Sequence, residues 1–214
     1  MLRKKGAIQG SGCVTASSTA WPAPARFVLL NVGLAGYGLG LAMMIAADVG
    51  LAPWDAFHVG LARVIPGVTI GMASIGVGLV FQLVAARFLG MPIGLGSALN
   101  MVLIGVYIDL FLGRLPAPGG GLAWAQFLFG TALVGVATGA YIASGFGAGP
   151  RDSLVLGLAG RTGWPVKHLR TGVEIAVLVT GYLLGAKVGW GTVLFALAIG
   201  PAMSLGLALF GLRR

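Results

Sequence analysis

Long apolar segments alternate along the chain with short stretches rich in glycine, proline and charged residues. Six of these segments are about 20 residues long, which is the length that a helix needs to cross the hydrocarbon of a bilayer. Two others are shorter, and a helix of about 11 residues is roughly 17 Å long. We therefore predict six long spans, at about 27–47, 69–89, 93–112, 122–143, 169–185 and 192–212, plus two short broken or re-entrant helices, at about 54–64 and 152–160.

The composition indicates an all-α integral membrane protein. Of the 214 residues, 57% are hydrophobic and 9% are charged, and the mean hydropathy is +0.97, whereas a soluble domain has roughly 25% charged residues. A helix satisfies its backbone hydrogen bonds within one segment, as lipid demands. We expect a polytopic helix bundle in the lipid bilayer, and Gly36 and Gly40 in the first span should let another helix come close.

Charge and cysteine content exclude several other classes of protein. The net charge is +9, but the cations are scattered at segment ends, three of them in a predicted basic loop at 161–170, so we expect no nucleic-acid partner. The single cysteine, Cys13, excludes an intramolecular disulfide and a multi-cysteine metal site. The spans contain no Ser, His and Asp in the order of a hydrolase triad, and the sequence has neither a His-Glu-x-x-His motif nor a phosphate-loop motif. We therefore expect neither enzyme activity nor a cofactor.

A string of turn residues in front of the first short helix occurs again in front of the second. Each residue of the second copy lies 97 positions after its counterpart, as Gly147 does after Gly50. Beyond a two-residue deletion, later glycines match at a distance of 95 positions, and an internal duplication explains both observations. The matched residues are Gly50, Pro53, Asp55, Gly60, Leu61 and Ala62 in the first copy, and Gly147, Pro150, Asp152, Gly157, Leu158 and Ala159 in the second.

The duplication divides the chain into a tail and one membrane domain. We predict a disordered cytoplasmic tail at 1–26, followed by a single domain at 27–214 with repeat one at about 27–115 and repeat two at about 122–212. Six crossings make the repeats inverted, whereas eight crossings, with the short helices spanning, make them parallel. The positive-inside count is equal for both arrangements. Helix length favours six crossings, and both arrangements place the two termini in the cytoplasm.

The two helix breaks are the place where we expect a binding site. Gly50 and Pro53 interrupt the first repeat, and Gly147 and Pro150 interrupt the second. Proline fits best in the first turn of a new helix. Non-helical backbone at membrane depth is tolerated where it is buried in protein or lines a wet cavity. Matched interruptions of this kind expose helix ends to substrate in repeat-built transporters.

Polar residues near the breaks are candidates for substrate binding. Asp55 and Asp152 either stabilise the first turn of their helices or bind a cation or an amine near the symmetry axis. Arg151 replaces the counterpart of Trp54, and it could pair with either aspartate. His58 shares a helix face with Asp55. No other His or Cys has the spacing of a metal ligand, so we expect no metal site.

Glu174 is a further candidate, because it lies inside an apolar span, where an ionised side chain costs a few kcal/mol. It is either a carrier of a proton or ion or a structural carboxylate paired with Arg170 one turn earlier. Gln82, Asn100 and Asp109 are the other polar residues within spans that we considered. For each of these three, an interhelical hydrogen bond is the simpler interpretation.

The paired breaks resemble those of the YczE/YyaS/YitT family of bacterial integral membrane proteins. The element that carries the resemblance is Gly-x-x-Pro-x-Asp, at 50–55 and 147–152, and the likeness extends from about Phe27 to the C-terminus. The resemblance implies a multi-pass protein of the bacterial inner membrane, in a family without a settled molecular activity. The chain is similar to the shorter YczE-like branch, because it has no room for the soluble C-terminal domain of YitT-type proteins.

These patterns favour a small-solute transporter or permease whose site lies between the two broken helices. Its ligand is then a small molecule or ion of unidentified chemistry. The alternative is a non-transporting membrane protein that binds or regulates a partner protein through its small-residue helix faces and basic inner loops. An intramembrane enzyme ranks third, and a homo-oligomer is compatible with either of the first two functions.

Overall fold

Eight α-helices make up the described part of the chain. The computed structural model describes residues 21–91, 93–146 and 149–212, and these ranges contain no β-strand. The all-α class is therefore confirmed. Most of the predicted tail, and the helix-break residue Gly147, lie outside the described residues. The helices are α1 (Ala23–Ala47), α2 (Pro53–Val64), α3 (Ile70–Leu89), α4 (Leu95–Leu112), α5 (Gly120–Ala143), α6 (Pro150–Thr162), α7 (Val166–Leu183) and α8 (Trp190–Leu209).

Five helices, α1, α3, α4, α5 and α8, are long and apolar enough to cross a membrane. The chain is thus a multi-pass membrane protein. The remaining predicted span, at about 169–185, corresponds to α7, which has 18 residues. It is not among the five, and it carries Lys167, Arg170 and Glu174. These three charges set α7 apart from the other long helices.

The predicted basic loop at 161–170 is wrong. Arg161 lies in the last turn of α6, and Lys167 and Arg170 lie in the first turns of α7. The connection between the helices is only 163–165, because Gly163 turns the chain in the left-handed region at a φ of 74° and the next helix starts directly after Pro165. Charge density misled the sequence reasoning here, since Lys and Arg are good helix formers.

Proline opens both short helices, as predicted. α2 begins at Pro53 and α6 at Pro150, each after an N-cap residue in the extended conformation, Ala52 and Gly149. Proline costs nothing there, because the first N–H groups of a helix lack a helical partner anyway. Gly50 has a φ of 143°, and a Cβ at this position would lie 2.7 Å from the backbone of α8. Glycine is therefore required at this break.

The centre of the bundle is the pair of α1 and α5, which run in opposite directions. Gly33 packs against Tyr141 towards one end of the pair, and Gly40 packs against Gly130 towards the other. Small residues permit this close approach in the absence of a hydrophobic driving force. The apolar core beside them combines α1, α4 and α5 through Leu30, Leu34, Leu41, Met44, Ile104, Ile108, Phe127 and Val134.

The outer helices pack on this central pair. α4 packs on α1, and α8 packs on α5 and runs parallel to it, since Gly135 meets Ala202 and Gly139 meets Gly206. α3 packs closely on α4. Across the described ranges, α7 and α8 have no comparable packing. The bundle is therefore closed less tightly between α7 and α8 than between α3 and α4.

The two short helices pack against long helices from the other end of the sequence. α2 packs against α7, and α6 packs against α3. Ala56 meets Gly181 and Gly60 meets Leu184, so α2 and α7 run parallel to each other. The connection between α2 and α3 is only 65–69, and these two helices pack side by side as an antiparallel hairpin.

Candidate functional site

The first turns of α2 and α6 meet at an internal cavity of about 630 Å³, to which all eight helices contribute. Pro53 and Pro150 both line this cavity, so the two helix starts that the duplication predicts come together. Gly50 instead packs against the first turn of α8. The five candidate binding residues all line the cavity: Asp55, His58, Arg151, Asp152 and Glu174.

Asp55 and His58 form the buried part of the wall. Each has 1% of its surface exposed, and the spacing of three residues places them on one face of α2. Asp55 Oδ2 and His58 Nδ1 have no hydrogen-bond partner among the described residues. Most buried polar groups in proteins are hydrogen-bonded, so an unpartnered atom requires an explanation. The cavity wall therefore holds a buried carboxylate oxygen and a buried imidazole nitrogen without hydrogen-bond partners.

Arg151 lies over the face of Trp54, with its guanidinium carbon 4.6 Å from the ring centroid. Trp54 in turn makes an edge contact with Phe81 at 5.4 Å between ring centroids. A guanidinium at this distance from an indole face makes a cation–π interaction. The suggested pairing of Arg151 with Asp55 or Asp152 is absent from the ion pairs of the described residues. The aromatic ring takes the place of the carboxylate.

Arg170 connects the other two acidic candidates. Its guanidinium lies 3.9 Å from Asp152 Oδ1 and 3.1 Å from Glu174 Oε1. The second of these pairs is the contact one turn apart that the sequence suggested for Glu174. The three side chains remain partly exposed, at 52% for Arg170, 41% for Asp152 and 39% for Glu174. Asp152 and Glu174 therefore already share an ion-pair partner, whereas Asp55 forms no ion pair among the described residues.

The capping interpretation of the two aspartates has partial support. Both lie in the first turn of their helices, where a carboxylate interacts favourably with the helix dipole. Neither helix has a side-chain hydrogen bond at its N-cap, which is Ala52 in α2 and Gly149 in α6. The aspartates thus contribute their charge to the helix ends without forming a hydrogen-bonded cap.

The other polar residues within spans take mainly structural positions. Asp109 Oδ1 accepts a 2.8 Å hydrogen bond from the backbone of Gly71 and thereby ties α4 to the start of α3. Gln82 Oε1 accepts a 2.5 Å hydrogen bond from Ser97. These are interhelical hydrogen bonds, as predicted for such residues. Asn100 differs, because it lines the cavity.

Comparison with known proteins identifies the family of the chain. Residues 24–206 match a family described as a family of unknown function, DUF6198. The chain belongs to this family. The uncharacterised membrane protein YczE of Bacillus subtilis is 36% identical over 186 residues, which is 85% of each chain. An uncharacterised protein of Haemophilus influenzae is 32% identical over 190 residues, covering 88% of this chain and 86% of its own length.

The uncharacterised protein YyaS of Bacillus subtilis is a more distant relative of this DUF6198 chain, at 27% identity over 182 residues, 79% of this chain and 86% of YyaS. The resemblance to YczE and YyaS that the paired breaks indicated is thereby confirmed. No solved structure matches the chain.

Sequence reasoning missed the aromatic part of the cavity wall. Tyr37 and Tyr141 line the cavity, with ring centroids 6.1 Å apart in an edge arrangement, and Phe81 and Phe195 line it too. An aromatic residue in an apolar span gives no signal that separates a cavity wall from a core or a lipid-facing position. The two tyrosines offered one clue, since each places a hydroxyl group within a predicted span.

Proposed function

We propose that this protein transports a small solute across the bacterial inner membrane through the cavity between α2 and α6. One observation carries the proposal: two short helices start at the same internal cavity, and the wall there includes a buried carboxylate without a partner. A central site between interrupted helices of two halves is the arrangement that repeat-built transporters use. A helix bundle that only packs its helices together requires neither a cavity of about 630 Å³ nor a buried charged group.

Helix directions support inverted repeats and six crossings. With six crossings, α1 and α5 run in opposite directions, and α5 and α8 run in the same direction. With eight crossings, α1 and α5 run in the same direction, and α5 and α8 run in opposite directions. The contacts of Gly33 and Gly40 with α5 fit the first requirement. The contacts of Gly135 and Gly139 with α8 fit the second. In this proposal, α2 and α6 are re-entrant and do not cross.

Equivalent contacts in the two halves also support the duplication. A pair of residues in one half should meet again as the pair displaced by 97 or 95 positions in the other half. The contact of α2 with the end of α7 then corresponds to that of α6 with the end of α3. These matched contacts are Gly60 with Leu184 and Gly157 with Leu89, and likewise Val49 with Gly191 and Phe146 with Gly96.

The positive charges favour a cytoplasmic location for both termini. With six crossings, the side of the N-terminus carries more Lys and Arg than the opposite side, which is typical of the cytoplasmic face. The residues on the N-terminal side include Arg26, Arg87, Arg161 and Lys167, and those on the other side are Arg63, Arg114 and Lys187. The predicted tail at 1–26 is then cytoplasmic.

Within this proposal the candidate residues differ in role. Asp55 orients the solute, together with Arg151 and His58 at the meeting point of the short helices. Of the two roles open to Glu174, carrier of a proton or ion and structural carboxylate, the pairing with Arg170 favours the structural role. A Glu174→Gln variant tests this point. If Glu174 carries a proton or ion, solute uptake by the variant must lose its dependence on pH. The protein has no catalytic role in this proposal.

Cavity filling tests the transport proposal. Purified protein in lipid vesicles should take up at least one component of a defined solute mixture above the level of protein-free vesicles, as measured by mass spectrometry. Ala196→Trp should abolish this uptake, because Ala196 lines the cavity. Leu197→Trp is the matched control on the same helix, because Leu197 is 71% exposed and is not part of the cavity wall.

Two results contradict transport. Either no solute enters above background, or the Ala196→Trp protein retains the wild-type uptake. Co-purification of a stoichiometric partner protein, without a thermal shift by any solute in the mixture, favours the alternative function of partner binding.

A further inference from the structure

The charged groups of the cavity do not balance. Its wall contains three carboxylates, Asp55, Asp152 and Glu174, and two guanidiniums, Arg151 and Arg170. With all three carboxylates ionised and the His58 imidazole neutral, one negative charge is left over. We propose that the cavity binds an organic monocation, an ammonium ion of an amine, with Asp55 as its counter-ion. This inference rests on the proposed function, because it assigns a substrate class to the same cavity.

Within the described part of the chain, one of the three carboxylates lacks an ion pair. Arg170 contacts both Asp152 and Glu174, so these two carboxylates share a counter-ion. Arg151 lies on the Trp54 ring and has no ion pair among the described residues. Asp55 is left with 1% exposure and a free Oδ2. A buried charge without a partner is strongly unfavourable, and a bound cation supplies the missing partner.

The surroundings of Asp55 fit an ammonium group. His58 Nδ1 and Asp55 Oδ2 are buried without a hydrogen-bond partner from the described residues, and an imidazole nitrogen and a carboxylate oxygen can each accept a hydrogen bond from an N–H group. Tyr37 and Tyr141 contribute aromatic surface to the wall, and aromatic faces attract cations. The position of Arg151 on Trp54 is an example of this attraction within the protein itself.

Size and ligand chemistry favour an organic cation over a metal ion. The cavity of about 630 Å³ falls in the range of small-molecule sites. Within the described ranges, there is no group of three or more His, Cys, Asp or Glu side chains placed to bind a metal ion. An amine needs only one carboxylate together with apolar and aromatic surface, and this is what the wall provides.

Three probes of similar shape and different charge test the inference. Benzylammonium, benzyl alcohol and benzoate are titrated calorimetrically into the detergent-purified full-length protein. Benzylammonium should bind saturably and at least about tenfold more tightly than the other two, because only the cation neutralises Asp55. Benzyl alcohol or benzoate binding as tightly as benzylammonium, or no saturable binding of benzylammonium, overturns the inference. This comparison uses the wild-type protein and does not depend on the folding of a variant.

Variants locate the site. Asp55→Asn keeps the size of the side chain and should weaken benzylammonium binding at least about tenfold. Asp48→Asn is the matched control, since Asp48 is an exposed carboxylate paired with Lys187 and is not part of the cavity wall. Wild-type affinity in a folded Asp55→Asn protein, judged by its elution from a sizing column, overturns the assignment to Asp55.

Binding and uptake separate the two proposals. Saturable benzylammonium binding without uptake of any solute into vesicles contradicts transport and leaves the cation site in place. Uptake of other solutes without benzylammonium binding contradicts the cation site and leaves transport in place.

Discussion

The contact between α1 and α5 makes Gly40 sensitive to a single added methyl group. A Cβ at Gly40 would lie 2.7 Å from the carbonyl oxygen of Gly130 and 2.8 Å from Cγ2 of Val134. Even a weak C–H···O contact needs a C···O distance of about 3.3 Å. The carbonyl belongs to a helix backbone, so it moves only if α5 moves. Gly40→Ala should therefore destabilise the protein by forcing the two central helices apart.

Gly36 provides the control for the magnitude. It lies one turn earlier on α1, and its nearest neighbour would be Ala137 Cβ at 3.5 Å, which is an ordinary contact. Both substitutions gain the same helix propensity, about 1 kcal/mol for Gly to Ala. The stability difference between Gly36→Ala and Gly40→Ala then isolates the overpacking cost, which is about 1–3 kcal/mol. Gly36→Ala alone should be neutral or slightly stabilising.

The measurement is thermal unfolding in detergent, followed by intrinsic tryptophan fluorescence. For a chain of this size, a cost of 1–3 kcal/mol lowers the midpoint by roughly 2–10 °C, so Gly40→Ala should unfold below Gly36→Ala by that amount. Equal midpoints for the two variants would refute the close approach of α1 to α5. The antiparallel central pair would then lose its main support.

Two further predictions concern topology and local stability. Single cysteines are introduced at positions 63 and 87 in a Cys13→Ser background. In whole cells, the cysteine at position 63 should react with an impermeant reagent and the cysteine at position 87 should not, because six crossings place Arg63 outside and Arg87 inside. The reversed pattern requires eight crossings. Asp109→Ala should cost about 1–3 kcal/mol, because it leaves the Gly71 amide without its acceptor; an unchanged midpoint in the same unfolding assay contradicts that role for Asp109.

The helices were predictable because the signals for them are local. Apolar length marked the long segments, and proline marked the starts of the short ones, so that α2, predicted at 54–64, begins at Pro53 and ends at Val64. Proline acts through its own missing N–H and fixed φ, which needs no knowledge of the rest of the fold. The basic stretch at 161–170 misled for the opposite reason. Charged residues indicate that a segment contacts water, and they occur both in helices and in loops.

The contacts between helices of the site were not predictable, because they join residues that are not neighbours in the sequence. Arg151 has an aspartate as its next neighbour in the chain, yet its guanidinium lies on Trp54 of another helix. Arg170 contacts Glu174 within α7, as helical spacing suggests, but it also reaches Asp152 in α6. Which partner an arginine takes depends on how the helices pack, and the sequence carries no direct record of that packing.

The difference between the two copies explains why one carboxylate remains free. Asp55 and Asp152 occupy matching positions, and in the second half Arg170 supplies a counter-ion to Asp152. The position in the first half that matches Arg170, 95 residues earlier, is Ile75, an apolar residue. Asp55 therefore lacks the partner that its counterpart has. An ammonium ion in the cavity would then pair with Asp55 as Arg170 pairs with Asp152.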